Sequence, residues 1–119
     1  MGAHRLLIVD DEPTLLDLLR RYLERVGFEA ETCGDAQQAL DLFQADPNRF
    51  SLAITDLSLP GINGEGLIER IRQIRPGFPA IITSGYHYQP RSADVGFLQK
   101  PFLPKMLVET VEKALKGSA

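Results

Sequence analysis

The run Leu6-Leu7-Ile8-Val9 is apolar at every position, and Asp10-Asp11-Glu12-Pro13 ends it at once. A strand with one face in water alternates apolar and polar residues. A continuous apolar run belongs to a strand covered on both faces, as in parallel sheets flanked by helices. A chain built around such a strand needs helical layers on two sides. It also carries a pair of carboxylates to the strand's C-terminal end.

The remainder of the chain supplies those layers in alternation. From Pro13 onward, Leu15, Leu16, Leu18, Leu19, Tyr22, Leu23 and Val26 recur at helical spacing, with the proline suited to the first turn and Gly27 to the stop. Phe28 to Cys33 reads as a second strand. Asp35 can then cap a helix that carries Ala36, Ala39, Leu40, Leu42 and Phe43 and closes before Pro47. Phe50 to Asp56 is a third strand, and the turn-rich loop Leu57 to Gly64 leads into a helix with Leu67, Ile68, Ile71 and Ile74. Pro79 to Ser84 and Val95 to Gln99 read as the fourth and fifth strands. Pro104 opens a last helix carrying Met106, Leu107, Val108, Val111 and Leu115. Strands alternating with helices predict an α/β, doubly wound parallel sheet joined by right-handed crossovers, with ligand sites beyond the carboxyl ends of the strands.

Bulk properties narrow the function. At 119 residues and 44% hydrophobic, the chain suits one compact domain over 1–119, with no linker, repeat or low-complexity tract. A formal net charge of -3 offers no basic field for a phosphate backbone, so direct nucleic-acid binding is disfavoured. The single cysteine, Cys33, cannot form an internal disulfide and reads as a small core residue, in keeping with a reducing compartment. The apolar start is far shorter than a signal or membrane segment. The expectation is a cytoplasmic chain with no membrane insertion.

Asp10 and Asp11 end strand one, Asp56 ends strand three, Ser84 ends strand four and Lys100 follows strand five. With strands one and three as neighbours, all of them converge on one edge of the sheet. Clustered carboxylates raise one another's pKa unless a cation is present, and their hard oxygens suit Mg²⁺. A metal so held keeps positions open for phosphoryl oxygens, while the Lys100 ammonium and the Ser84 hydroxyl can engage the others. The chemistry implied is phosphoryl transfer to a carboxylate.

Taken singly, each of these residues has a plainer reading. An acidic run before a helix complements its dipole, and an aspartate before a Pro-Gly loop serves a turn. Ser84 can satisfy backbone at a strand end, and Phe97 can be ordinary core. His4 and His87 stand apart from any ligand spacing, and Tyr86 and Tyr88 read as loop aromatics. Gly61, Gly64 and Gly66 match no phosphate-loop pattern and read as turn and helix-start residues.

Together, Val9-Asp10-Asp11-Glu12-Pro13, Thr55-Asp56 with Pro60 and Gly64, Thr83-Ser84-Gly85-Tyr86 and Phe97-Leu98-Gln99-Lys100-Pro101-Phe102 resemble response regulator receiver domains over nearly the whole chain. The resemblance implies a flavodoxin-like five-stranded sheet in the order 2-1-3-4-5 and a phosphoacceptor module of a two-component phosphorelay rather than a metabolic enzyme. It implies Asp56 as the phosphoacceptor, Asp11 as a direct Mg²⁺ ligand, Asp10 as an indirect one that acts through water or from behind the direct ligands, and the backbone carbonyl of Ser58 as a further ligand. Lys100 would pair with the phosphoryl group. Ser84 matches the family's switch hydroxyl and Phe97 the aromatic that turns inward as that hydroxyl moves. Ser58 and Tyr86 match positions that modulate phosphoryl loss. The implied partners are a histidine kinase or phosphotransfer domain and a downstream effector protein, and the wording around Ser84 and Lys100 is similar to receivers of hybrid sensor histidine kinases.

One departure stands out. Receivers carry a fourth helix before the fifth strand, but Gly85 to Gly96 is shorter than that by about one and a half to two helical turns. The segment lacks apolar i, i+3, i+4 spacing and contains Pro90, so the helix is predicted to be missing or reduced to an irregular turn, and the loop to be mobile. This leaves a second reading, a constitutive interaction module that keeps the fold without using phosphorylation. An aspartate-nucleophile hydrolase is disfavoured, because Ser58 stands where such enzymes need a second carboxylate. Leu59 replaces the family's usual methionine in an apolar role.

Overall fold

In the computed structural model, which describes residues 4–117, the first apolar run forms β1 (Arg5–Val9). It is followed by α1 (Pro13–Arg25), β2 (Glu29–Cys33), α2 (Ala36–Ala45), β3 (Leu52–Asp56), α3 (Gly64–Ile74), β4 (Ala80–Ser84), β5 (Gly96–Gln99) and α4 (Pro104–Gly117). The strands form one sheet in the order β2-β1-β3-β4-β5, every neighbouring pair parallel. This is the flavodoxin-like order, and it makes β1 and β3 neighbours.

Local chemistry sets the helix ends. Pro13 lies in the first turn of α1, and Gly27, at φ +101°, adopts the left-handed backbone that follows its last turn. The Asp35 carboxylate accepts from the Gln38 amide at 2.8 Å, and Asn63 caps α3 by accepting from the Gly66 amide at 2.9 Å.

Because side chains alternate across a strand, the two sheet faces build separate cores. Leu6, Ile8, Leu52, Ile54, Ile81 and Leu98 pack beneath α1 and α4, meeting Leu16, Leu19, Leu23, Leu107 and Val111. On the other face Leu7, Val9 and Ala53 meet α2 and α3 through Ala39, Leu40, Phe43, Leu67 and Ile71. The helical periodicity overstates burial at some positions. Leu18 is 62% exposed although Leu19 is buried, since adjacent residues point about 100° apart on a helix. Val26 and Met106 are likewise exposed.

Between β4 and β5 there is no helix among the described residues. The chain makes a single turn there, with the Val95 amide donating to the Ser92 carbonyl at 3.1 Å. Side chains of α3 tether the segment instead. Glu65 accepts from Tyr88 and from the Arg91 amide, Glu69 pairs with Arg91 at 2.6 Å, and Arg72 pairs with Asp94 at 3.0 Å. The sequence reading of a mobile loop did not include these tethers, because all of their partners lie on a different element.

Phe43 is fully buried, with Phe78 edge-on at 5.0 Å and Phe50 stacked at 6.5 Å. Truncating it leaves a cavity that the surrounding rings cannot close. Phe43→Ala is expected to lower the unfolding free energy by about 3–5 kcal/mol, read as a drop in the urea midpoint at unchanged slope.

Candidate functional site

The parallel register gathers the strand ends. Val9 is opposite Thr55, and Asp56 is opposite Thr83, so the residues that follow β1 and those that end β3 and β4 lie side by side. The ladders continue one step further: the Asp10 amide donates to the Cys33 carbonyl at 3.1 Å, Leu57 to Thr83 at 2.8 Å and Lys100 to Ser84 at 2.7 Å. Backbone pairing therefore orients Asp10, Asp56, Ser84 and Lys100 before their side chains make any contact.

Asp10, Asp11 and Asp56 each offer a carboxylate oxygen, and these oxygens lie within 4.8 Å of one another. Asp10 and Asp56 are buried and Asp11 is exposed at the mouth. Asp10 is held by both its oxygens, one accepting from the Glu12 amide at 2.9 Å and the other from the Lys100 ammonium at 2.8 Å. The same ammonium stands 3.4 Å from Asp56. Glu12 occupies the N-cap position of α1 without a side-chain capping bond. The acidic run thus serves the cluster more than the helix end.

Charge and burial pull against each other here. Burial raises the pKa of the Asp56 carboxyl; Lys100 opposes this and Asp10 and Asp11 add to it, for a net rise above the ordinary value. Burial lowers the pKa of Lys100, but the hydrogen bond and charge of Asp10, followed by those of Asp56, outweigh it and raise the ammonium above its usual value. One ammonium facing a cluster of carboxylates leaves excess negative charge beside hard oxygen donors, which suits a small divalent cation.

Ser84 is buried at the end of β4, and its hydroxyl oxygen accepts from the Tyr86 amide at 3.2 Å. Ser58 is exposed in the loop after β3. Phe97 is half-buried on the α3 face of the sheet, its ring 6.2 Å from His87 and 6.5 Å from Tyr88. Gly64 has a tighter role than a helix start requires, because a Cβ there would overlap the carbonyl oxygen of Asp56. Sequence reasoning missed Glu65 and Tyr88, which meet beside the site. Their only sequence signal was a carboxylate in the first turn of α3 and a tyrosine in the shortened segment.

Comparison with known proteins agrees with this architecture. The response regulator receiver domain family matches residues 6–112. The chain is 36% identical over 124 residues to the DNA-binding transcriptional regulator NtrC of Azospirillum brasilense, covering 99% of this chain and 25% of that protein. Among solved structures, the receiver domain of the hybrid histidine kinase CckA superposes with a TM-score of 0.83 at 32% identity, over 93% of this chain and 98% of that one. A CheY-like receiver from Methanospirillum hungatei superposes with a TM-score of 0.86 at 29% identity, over 98% and 97%.

The raised Asp56 pKa has a sign that can be checked. The ionised carboxylate disfavours the native state above the folded pKa; this cost shrinks as pH falls from there and is gone below the ordinary carboxylate value, where both states are protonated. Asp56→Asn is therefore expected to raise the thermal midpoint at about pH 7 without divalent cations, by roughly 3–6 °C for a gain of about 1 kcal/mol. The gain should shrink toward about pH 4. Calorimetry at the two pH values gives the comparison.

Proposed function

The chain belongs to the response regulator receiver domain family, and on that premise we propose that it acts as a single domain whose Asp56 accepts a phosphoryl group from a histidine kinase or phosphotransfer protein. The observation that carries this reading is the buried Asp56 carboxylate at the end of β3, clustered with Asp10 and Asp11 and 3.4 Å from Lys100.

In this reading a carboxylate oxygen of Asp56 attacks the phosphorus of a phosphoimidazole. The P–N bond breaks, its electron pair stays with the imidazole nitrogen, which takes up a proton, and an acyl phosphate forms on Asp56. Lys100 pairs with the incoming phosphoryl oxygens. The Ser84 hydroxyl donates to another of them, and Phe97 turns inward as the hydroxyl moves, so a local change of charge becomes a change of surface for a downstream effector.

Mg²⁺ fits the donor set on two grounds, the hard carboxylate oxygens within 4.8 Å of one another and the raised pKa that burial and crowding impose on Asp56. Asp11 and Asp56 would hold it directly, Asp10 through water, with the Ser58 carbonyl as a further ligand. When bound, it supplies charge neutralisation for the transferring group.

An apolar groove between α1 and α4, walled by Leu15, Leu18 and Phe102, shares Lys100 with the site. That continuity supports reading it as the surface met by the phosphodonor protein, whose histidine must reach Asp56. The chain spans a quarter of the length of the Azospirillum regulator and 12% of a rice response regulator, so its output would run through further modules or separate partners. No helix among the described residues is long and apolar enough to cross a membrane. The reading assigns the chain to the cytoplasm.

Intact-mass spectrometry after incubation with acetyl phosphate tests the central claim. A single phosphoryl adduct is expected with Mg²⁺, none without it and none in Asp56→Asn. Absence of an adduct in the native chain, together with no beryllofluoride binding, would instead favour the constitutive interaction module. For the groove, Leu18→Asp is expected to slow transfer from a phosphohistidine protein about tenfold or more, with acetyl phosphate labelling unchanged.

A further inference from the structure

Without a helix between β4 and β5, the α3 face of the sheet is covered at its β5 end by a loop. Ile82, Ala80 and Val95 form a buried cluster with Ile68 and Leu57, and Tyr88 and Phe97 pack against it. The loop bearing Tyr88 is held from one point in particular. Glu65, the second residue of α3 and only 3% exposed, accepts from the Tyr88 hydroxyl at 2.5 Å and from the Arg91 amide at 2.8 Å. Both bonds converge on the same oxygen, Oε2.

A buried carboxylate is costly unless hydrogen-bonded. These two loop donors, with the positive end of α3, are what make Glu65 tolerable there. Burial and Glu65 together push the Tyr88 phenol up to about 12, so it is a donor at neutral pH. The outer pairs, Arg91 with Glu69 and Arg72 with Asp94, involve at least one exposed partner each and hold the loop far less firmly.

Glu65 stands between two elements of the site. On one side, its neighbour Gly64 lies against the Asp56 carbonyl and donates its amide to Leu57 at 2.9 Å. On the other, Tyr88 is two residues from Tyr86, whose amide holds the Ser84 hydroxyl oxygen at 3.2 Å. Both the helix end that rests on Asp56 and the loop start that holds Ser84 are thus tied to one side chain.

We propose that Glu65, acting through Tyr88 and Arg91, is a positioning residue that keeps the Ser84 hydroxyl aligned with Asp56 and does the work of the absent helix. This rests on the reading of Asp56 as phosphoacceptor and Ser84 as a ligand of the phosphoryl group. Removing the Tyr88 hydroxyl leaves Glu65 with one loop donor and frees residues 86–91 to move, and the Ser84 hydroxyl then loses its fixed orientation. A phosphoryl mimic on Asp56 loses affinity in consequence. The metal site does not, since Asp10, Asp11 and Asp56 are carried by β1 and β3, which pair with each other independently of the loop.

Isothermal titration calorimetry on the full chain provides the test, with Mg²⁺ alone and with beryllofluoride plus Mg²⁺. Tyr88→Phe is expected to bind beryllofluoride about five- to tenfold more weakly than the native chain, with Mg²⁺ affinity unchanged. Glu65→Gln, whose amide oxygen can accept both bonds, should stay within about twofold of native. In a Ser84→Ala background, Tyr88→Phe should have no further effect, because the two changes act through one contact. Equal beryllofluoride affinity in Tyr88→Phe and native chain, an undiminished effect in the Ser84→Ala background, or a parallel loss of Mg²⁺ affinity would each overturn the role of Glu65. A native chain that binds no beryllofluoride refutes the phosphoacceptor reading itself, an outcome distinct from the other three.

Discussion

Lys100 is the cation on which the acidic end of the sheet depends. It stands 2.8 Å from Asp10 and 3.4 Å from Asp56, joining the residue after β5 to those at the ends of β1 and β3. Carboxylates gathered this closely repel one another in a poorly solvated pocket. The ammonium offsets part of that repulsion, and its own burial is tolerated because Asp10 and Asp56 raise its pKa against the effect of desolvation. Its position follows from the backbone, since the Lys100 amide extends the β4–β5 ladder to Ser84 at 2.7 Å. Strand order, register and charge balance are thus consequences of one another at this edge.

That balance is incomplete, and the incompleteness has chemical meaning. A site fully neutralised by side chains would have little affinity for a further cation. Here the Lys100 ammonium faces three clustered carboxylates, so hard oxygens remain available to a divalent ion. The Lys100 contact to Asp10 is the shorter one, which leaves the proposed phosphoacceptor less firmly engaged than its neighbour.

The two faces of the sheet are not equivalent. Beneath α1 and α4 the strands meet two full helices, and the exposed Leu18 and the groove beside it suit an incoming protein surface. On the opposite face α2 and α3 cover the sheet only as far as β4, and beyond that Tyr88, Val95 and Phe97 do so from a loop. There the covering segment is a loop pinned by side chains of α3, so any change of shape in it is governed by a few hydrogen bonds rather than by the packing of a whole helix.

Much of this was legible without coordinates. Continuous apolar runs announced buried parallel strands, and the polar residues following them had to lie at one edge because parallel strands share a direction. Pro90 and the lack of apolar spacing announced the missing helix for an equally local reason. What the tertiary structure alone decided were contacts between residues far apart in the chain. Leu18 and Leu19 look alike in sequence, yet only the sheet's position relative to α1 leaves one in solvent and buries the other. Gly64 read as a helix start, and the fold shows its lack of a side chain to be required by the Asp56 carbonyl. Glu65 and Tyr88 carried no shared pattern, since a carboxylate early in a helix ordinarily just complements its dipole. Periodicity records which face of an element is apolar, but the pairing of two polar groups 23 positions apart depends on how separate elements dock, and that is set by packing in three dimensions.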